Sequence, residues 1–196
     1  MDKTRIYITG VGGQGTLMAT ALIGQAALLS NINANLSEIH GMAQRGGVVE
    51  SSVTLGDLKS PMISFGEADI LLSFEPAETL RAARRCNADT VVITNSTPLP
   101  PFTVTTGKEV YPDVEAALEL LNGRVKKVVK LDANALARQA GNILCLNMVM
   151  LGALAKSGEL PFSSEVMKEA ITRFTKATFL DMNLKAFDLG FSVRIT

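Results

Sequence analysis

Short β-branched runs alternate along the chain with segments that are apolar on most faces, and this pattern predicts an α/β fold. The first strand, Arg5-Ile6-Tyr7-Ile8-Thr9, is followed at once by glycines. Residues 16–30 keep small and apolar side chains around most of the circumference, as a helix packed closely on a sheet requires. Further strands are expected over 34–39 and 48–55, the second ending at the turn pair Gly56-Asp57. Asp69-Ile70-Leu71-Leu72-Ser73-Phe74 is a continuous apolar run of the kind buried in a parallel sheet. Glu75 and Pro76 open a helix running to about Cys86, with proline near the first turn, where its missing N–H costs nothing. Strands over 90–94 and 126–131 follow, separated by a loop carrying Pro98, Pro100 and Pro101 and a helix over 113–121. Asp132 caps a helix over 133–139, and the remainder reads as helices over 143–155, 164–174 and 180–188, the last stopping before Gly190. The expected fold class is therefore α/β: a Rossmann-like, open, mostly parallel sheet with helices on both faces and a helical C-terminal third. No linker or repeat is visible, so one domain spanning 1–196 is expected.

Composition narrows the function. Lysine plus arginine equals aspartate plus glutamate at 19 each, so no net field draws the chain to nucleic acid or an anionic membrane. Aromatic residues are sparse and tryptophan is absent, which weakens a base-stacking role. The N-terminus enters a strand without a signal-peptide core, and the most apolar stretch, 143–155, is shorter than the roughly 20 residues of a membrane span. A cytoplasmic, soluble protein is expected. Cys86 and Cys145 lie far apart, match no metal spacing and read as small buried apolar groups.

Two loops carry candidate chemistry. Gly10-Val11-Gly12-Gly13-Gln14-Gly15 fits G-x-G-x-x-G between a strand and a helix, where backbone N–H groups can approach a phosphate. The same glycines also serve close strand–helix packing. An NAD(P) enzyme would need an acid after the second strand, and Glu38 has that position, but a Gly-rich loop replaces the crossover helix. The second loop, His40-Gly41-Met42-Ala43-Gln44-Arg45-Gly46-Gly47, holds the chain's single histidine. Arg45 offers a rigid donor fork for carboxylate or phosphate; alternatively, Arg45 and His40 tie a strand connection to neighbouring backbone.

The two loops together, Gly-Val-Gly-Gly-Gln-Gly and His-Gly-Met-Ala-Gln-Arg-Gly-Gly, resemble the gamma-type domain of 2-oxoacid:ferredoxin oxidoreductases. The His-Gly-Met-Ala-Gln form is similar to the indolepyruvate branch of that family. The likeness extends through 74–81, 95–101, Tyr111-Pro112, 141–152 and 183–190. It implies a subunit of a coenzyme A-dependent oxidative decarboxylation of aryl pyruvates, with a large partner subunit passing electrons to ferredoxin. It also implies that thiamine diphosphate, magnesium and iron–sulfur clusters belong to the partner, and that no residue here is a catalyst on its own. Gly10, Gly12, Gly13, Gln14 and Gly15 are the candidate cofactor-binding residues. His40, Met42, Gln44, Arg45, Gly46, Gly47 and Glu75 are the candidates facing the substrate. A free-standing NAD(P)-dependent oxidoreductase is the alternative, and a nucleotide-sensing or structural domain is the third reading.

Other residues have plainer expectations. Glu75 follows a parallel strand, where ligands bind, but equally suits a helix N-terminus. Arg81, Arg84 and Arg85 read as a solvated helix face, Asn142 and Asn147 as caps or interhelical donors, and Met148, Met150 and Leu151 as core or subunit interface.

Overall fold

The computed structural model describes residues 3–40 and 47–194. Among them, six strands form one sheet in the order β2-β3-β1-β4-β5-β6. The strands are β1 (Thr4–Val11), β2 (Ala34–His40), β3 (Val48–Leu55), β4 (Ala68–Ser73), β5 (Cys86–Asn95) and β6 (Lys127–Leu131). β1, β4, β5 and β6 run parallel, while β3 is antiparallel to both β1 and β2. The expected mostly parallel sheet is present, with an antiparallel hairpin appended to one side.

Alternation within the strands sorts the two faces. Ile6, Ile8, Ile70, Leu72 and Ile93 point to one side, where they meet α1 (Thr16–Leu29) and the C-terminal helices α5 (Ala133–Ala140), α6 (Leu146–Ser157), α7 (Ser164–Phe174) and α8 (Leu180–Phe191). Tyr7, Leu71 and Val92 point to the other, covered by α2 (Pro76–Ala82) and α4 (Val114–Asn122), including Leu118 and Leu121. Each fully buried Ile or Leu contributes about 1.5–3 kcal/mol of transfer free energy, so both layers are held by their apolar stripes. Met148, Met150 and Leu151 lie in the first layer's core. Among the described residues, no helix is long and apolar enough to cross a membrane. A further helical turn, α3 (Phe102–Thr105), follows the prolines.

Three boundaries differ from expectation. The helix after Glu75 stops at Ala82 and continues as a 3₁₀ turn, Ala83–Arg85. Cys86 then opens β5, with the ladder shifting register before Val91. Thr90 bridges this irregularity, donating its hydroxyl to the Ala68 carbonyl at 2.6 Å and accepting from the Asn87 N–H at 2.8 Å. The three arginines are more engaged than a solvated face: Arg81 pairs with Glu78, and Arg84 and Arg85 stack on Phe65, Arg85 also on Tyr7.

The third difference is Gly190, which does not end the last helix. α8 runs through it because α6 and α8 cross at backbone contact there. A Cβ on Gly190 would lie 2.0 Å from the Val149 carbonyl oxygen, and one on Gly152 would lie 2.0 Å from that of Phe187. Either methyl forces the helices apart. Gly190→Ala and Gly152→Ala are each expected to cost about 1–3 kcal/mol or more, lowering Tm by at least roughly 2–12 °C. An unchanged melting curve for either would refute this account of the crossing.

Candidate functional site

Strand register assembles the site at the sheet's C-terminal edge. Thr9, Ser73, Thr94 and Lys130 are successive partners across β1, β4, β5 and β6, so the residues that follow emerge side by side. On the other side, Gly10 faces Val49, and Val49 faces His40. The glycine loop, the start of the His40 loop, Glu75 and Asn95 therefore share one rim, the position at which open α/β sheets bind ligands. The Gly12 N–H donates to the Gly47 carbonyl at 2.9 Å, joining the two loops directly. Met42, Gln44, Arg45 and Gly46 lie outside the described residues.

Gln14 organises the glycine loop. Its carboxamide oxygen accepts from the Val11 N–H at 2.8 Å, and its nitrogen donates to the Phe74 carbonyl at 2.9 Å. With the Gln14 N–H bonded to the Val11 carbonyl at 3.2 Å, two of the loop's backbone donors, those of Val11 and Gln14, are used within it. Gly10 has no room for a side chain: a Cβ would lie 2.9 Å from Gln14, Phe74 and Thr16 atoms. Gly15, at φ 81°, begins α1, with the Asn147 amide 2.8 Å from where a Cβ would sit. Close packing, the plainer expectation for these glycines, accounts for Gly10 and Gly15.

The Phe74 carbonyl also accepts from Asn95 Nδ2 at 3.0 Å. Asn95 is fully buried and uses both ends of its amide: Nδ2 also donates to Asn134 Oδ1, and Oδ1 accepts from the Ala133 N–H, each at 3.0 Å. One side chain thereby links the ends of β4, β5 and the first turn of α5. Sequence reading missed this role; a polar residue closing an otherwise apolar strand was its signal.

Glu75 is turned inward, 1% exposed. One carboxylate oxygen caps α2 by accepting from the Glu78 N–H at 3.0 Å. The other accepts from the Leu99 N–H at 3.1 Å and from the Tyr111 hydroxyl. Burial, then the adjoining Glu75 carboxylate, push the Tyr111 phenol well above its ordinary range. Glu75 thus fastens the proline loop to the rim while serving as the helix cap. Beside it, burial raises the Glu78 carboxyl, with Glu75 and Glu50 adding to the effect and Arg81 opposing it. Glu78 Oε2 and the neighbouring strand's Thr9 hydroxyl are buried and find no hydrogen-bond partner among the described residues.

The topology argues against a dinucleotide fold. There the second strand lies beside the first, whereas here β3 intervenes antiparallel, moving Glu38 one strand spacing, about 4.8 Å, further from the glycine loop. Nor do the two cysteines form a pair of ligands. Cys86 opens β5 with its thiol pushed up to about 11 by burial, and Cys145 lies buried before α6, its thiol raised for the same reason.

Residues 5–193 match the family model described as pyruvate ferredoxin/flavodoxin oxidoreductase. The chain belongs to that family. It is 38% identical to the indolepyruvate oxidoreductase subunit IorB of Archaeoglobus fulgidus over 99% of this chain and 96% of the relative. It is 41% identical to the like-named subunit of Pyrococcus horikoshii, over 97% and 95% of the two chains. The fold matches the gamma subunit of a keto/oxoacid ferredoxin oxidoreductase from Geobacter sulfurreducens with a TM-score of 0.70, at 22% identity and 96% coverage of each chain. The α/β architecture expected from the pattern is therefore that of this oxidoreductase family.

Asn95→Ala should strip three groups of their shared partner and cost about 2–3 kcal/mol, a Tm fall of roughly 4–12 °C. Thermal unfolding of the variant checks this, and a shift under about 1 °C would remove Asn95 from its central place.

Proposed function

We propose that this chain is the small subunit of an indolepyruvate:ferredoxin oxidoreductase. With a large subunit it oxidatively decarboxylates aryl pyruvates to acyl-CoA, uses coenzyme A as co-substrate and delivers electrons to ferredoxin. The observation that carries this reading is the likeness, near 40% and almost end to end, to subunits bearing that name. Thiamine diphosphate, magnesium and the iron–sulfur clusters are assigned to the large subunit. The donor set supports that division: a common cluster takes four thiolates, and this chain has two cysteines. Thiamine diphosphate supplies the carbanion chemistry when bound.

This chain's own part is to build one wall. Gly10, Gly12, Gly13, Gln14 and Gly15 form a braced loop, and the connection from β2 to β3, which carries His40, Met42, Gln44, Arg45, Gly46 and Gly47, leaves from the same rim. Both are proposed to face the shared site. Arg45 carries the recognition, its planar fork suited to the carboxylate of the 2-oxoacid or a phosphate of coenzyme A. Glu75 acts as a positioning residue, its carboxylate committed to α2 and the proline loop.

Purified alone, the chain should reduce no viologen dye with indolepyruvate, coenzyme A and thiamine diphosphate, and activity should appear on adding the large subunit. Steady reduction by the chain alone would overturn the assignment.

In the assembled enzyme, Arg45→Lys keeps the charge and loses the fork. It should lower kcat/KM for the 2-oxoacid or coenzyme A about ten- to a hundredfold, the worth of a charge-assisted contact of roughly 1.5–3 kcal/mol. An assembled Arg45→Ala enzyme with unchanged kinetics for both substrates would end the case for this loop.

A further inference from the structure

Beside the glycine loop, helices α1, α6 and α8 present their first turns to one cavity of about 290 Å³. It is nearly twice the roughly 150 Å³ that admits benzene, and at the lower end of small-molecule sites. Met18 comes from the first turn of α1, Met148 from that of α6 and Met182 from that of α8, with Phe179 just before α8. Thioethers and a phenyl ring make an adaptable apolar lining that favours aromatic guests.

Asn142, Asn147, Thr175, Lys176 and Asn183 supply the polar part of the lining. Asn147 is 3% exposed, yet its amide nitrogen makes a single long contact, 3.5 Å to the Gly15 carbonyl. Among the described residues its second N–H meets no acceptor, an unusual state for a buried amide. Asn183 spends one N–H on the Thr175 hydroxyl at 3.2 Å. That hydroxyl in turn donates to the Ile171 carbonyl at 2.7 Å, satisfying the end of α7. Lys176, exposed at the wall, has no ion-pair partner among the described residues. The helix starts add positive potential: neither Gly15 nor Cys145 nor Phe179 caps its helix with a side chain.

We infer that this cavity is a binding site for an amphipathic monocarboxylate, its aromatic or branched aliphatic body among the three methionines and its carboxylate at Lys176 and Asn147. The inference rests on this chain alone and stands apart from the assembly with a large subunit. Asn147 couples it to the glycine loop, since the same side chain packs against Gly15.

The full chain, carrying ¹³C-methyl methionine and titrated with phenylacetate, tests the site by NMR. The Met18, Met148 and Met182 methyls should shift saturably, while Met62, 64% exposed on the opposite sheet face, stays still. Lys176→Met should weaken phenylacetate about tenfold and leave the neutral 2-phenylethanol unchanged. Three results would overturn the inference. One is no saturation by about 10 mM, a contact worth under about 3 kcal/mol. The second is equal movement of Met62. The third is release of phenylacetate on adding the large subunit, which would give the cavity to that chain.

Discussion

The rim depends on one carbonyl. Phe74 O receives donors from Gln14 on one side and Asn95 on the other, so the glycine loop, the end of β4 and the end of β5 are located by the same oxygen. A buried carbonyl accepting two amide N–H groups is fully satisfied, and no water is needed to complete it. The glycine loop and the two strand ends are consequently held as a unit. From Asn95 the network continues into the start of α5, and from Phe74 the chain passes to Glu75, which fixes the proline loop. A platform of this kind suits a subunit whose role is to hold loops against another chain's chemistry, because its geometry is set before the partner arrives.

Much of this architecture was legible in the sequence where a local pattern has one physical meaning. The apolar run from Asp69 to Phe74 marked an interior strand, and Pro76 after Glu75 marked a helix start with its carboxylate cap. The antiparallel insertion of β3 was half legible. A Gly-rich loop in place of a crossover helix marked a departure from the dinucleotide pattern, but nothing local says that the returning strand would run antiparallel and pair with β1. Strand order is a property of distant contacts. Gly190 failed for the same reason. Read locally, a glycine near a helix end is a stop; its role is decided by Val149, some forty residues away in sequence.

The candidate site divides in the same way. Gln14 and Gly15 were found through a phosphate-loop pattern, yet their observed partners are the loop's own backbone, Phe74 and Asn147. Pattern matching located the right place for a partly different physical reason. Asn95, Tyr111 and Glu78 lay within the family likeness without a role assigned to them, because a buried hydrogen bond acquires its meaning only from the groups the fold brings to it.

The crossing of α6 and α8 sets a limit on how this chain can vary. At most core positions a larger residue is tolerated when a neighbour shrinks, so paired substitutions let sequences drift. Gly152 and Gly190 face main-chain atoms, which cannot shrink. No second substitution compensates for a methyl at either point. The alternatives are separation of the helices or a slip by a full turn of 5.4 Å, and either would unseat Phe187 and Ala186 from the core. The terminal helix is therefore keyed to its groove, free to vary on its outer face and locked along its inner one.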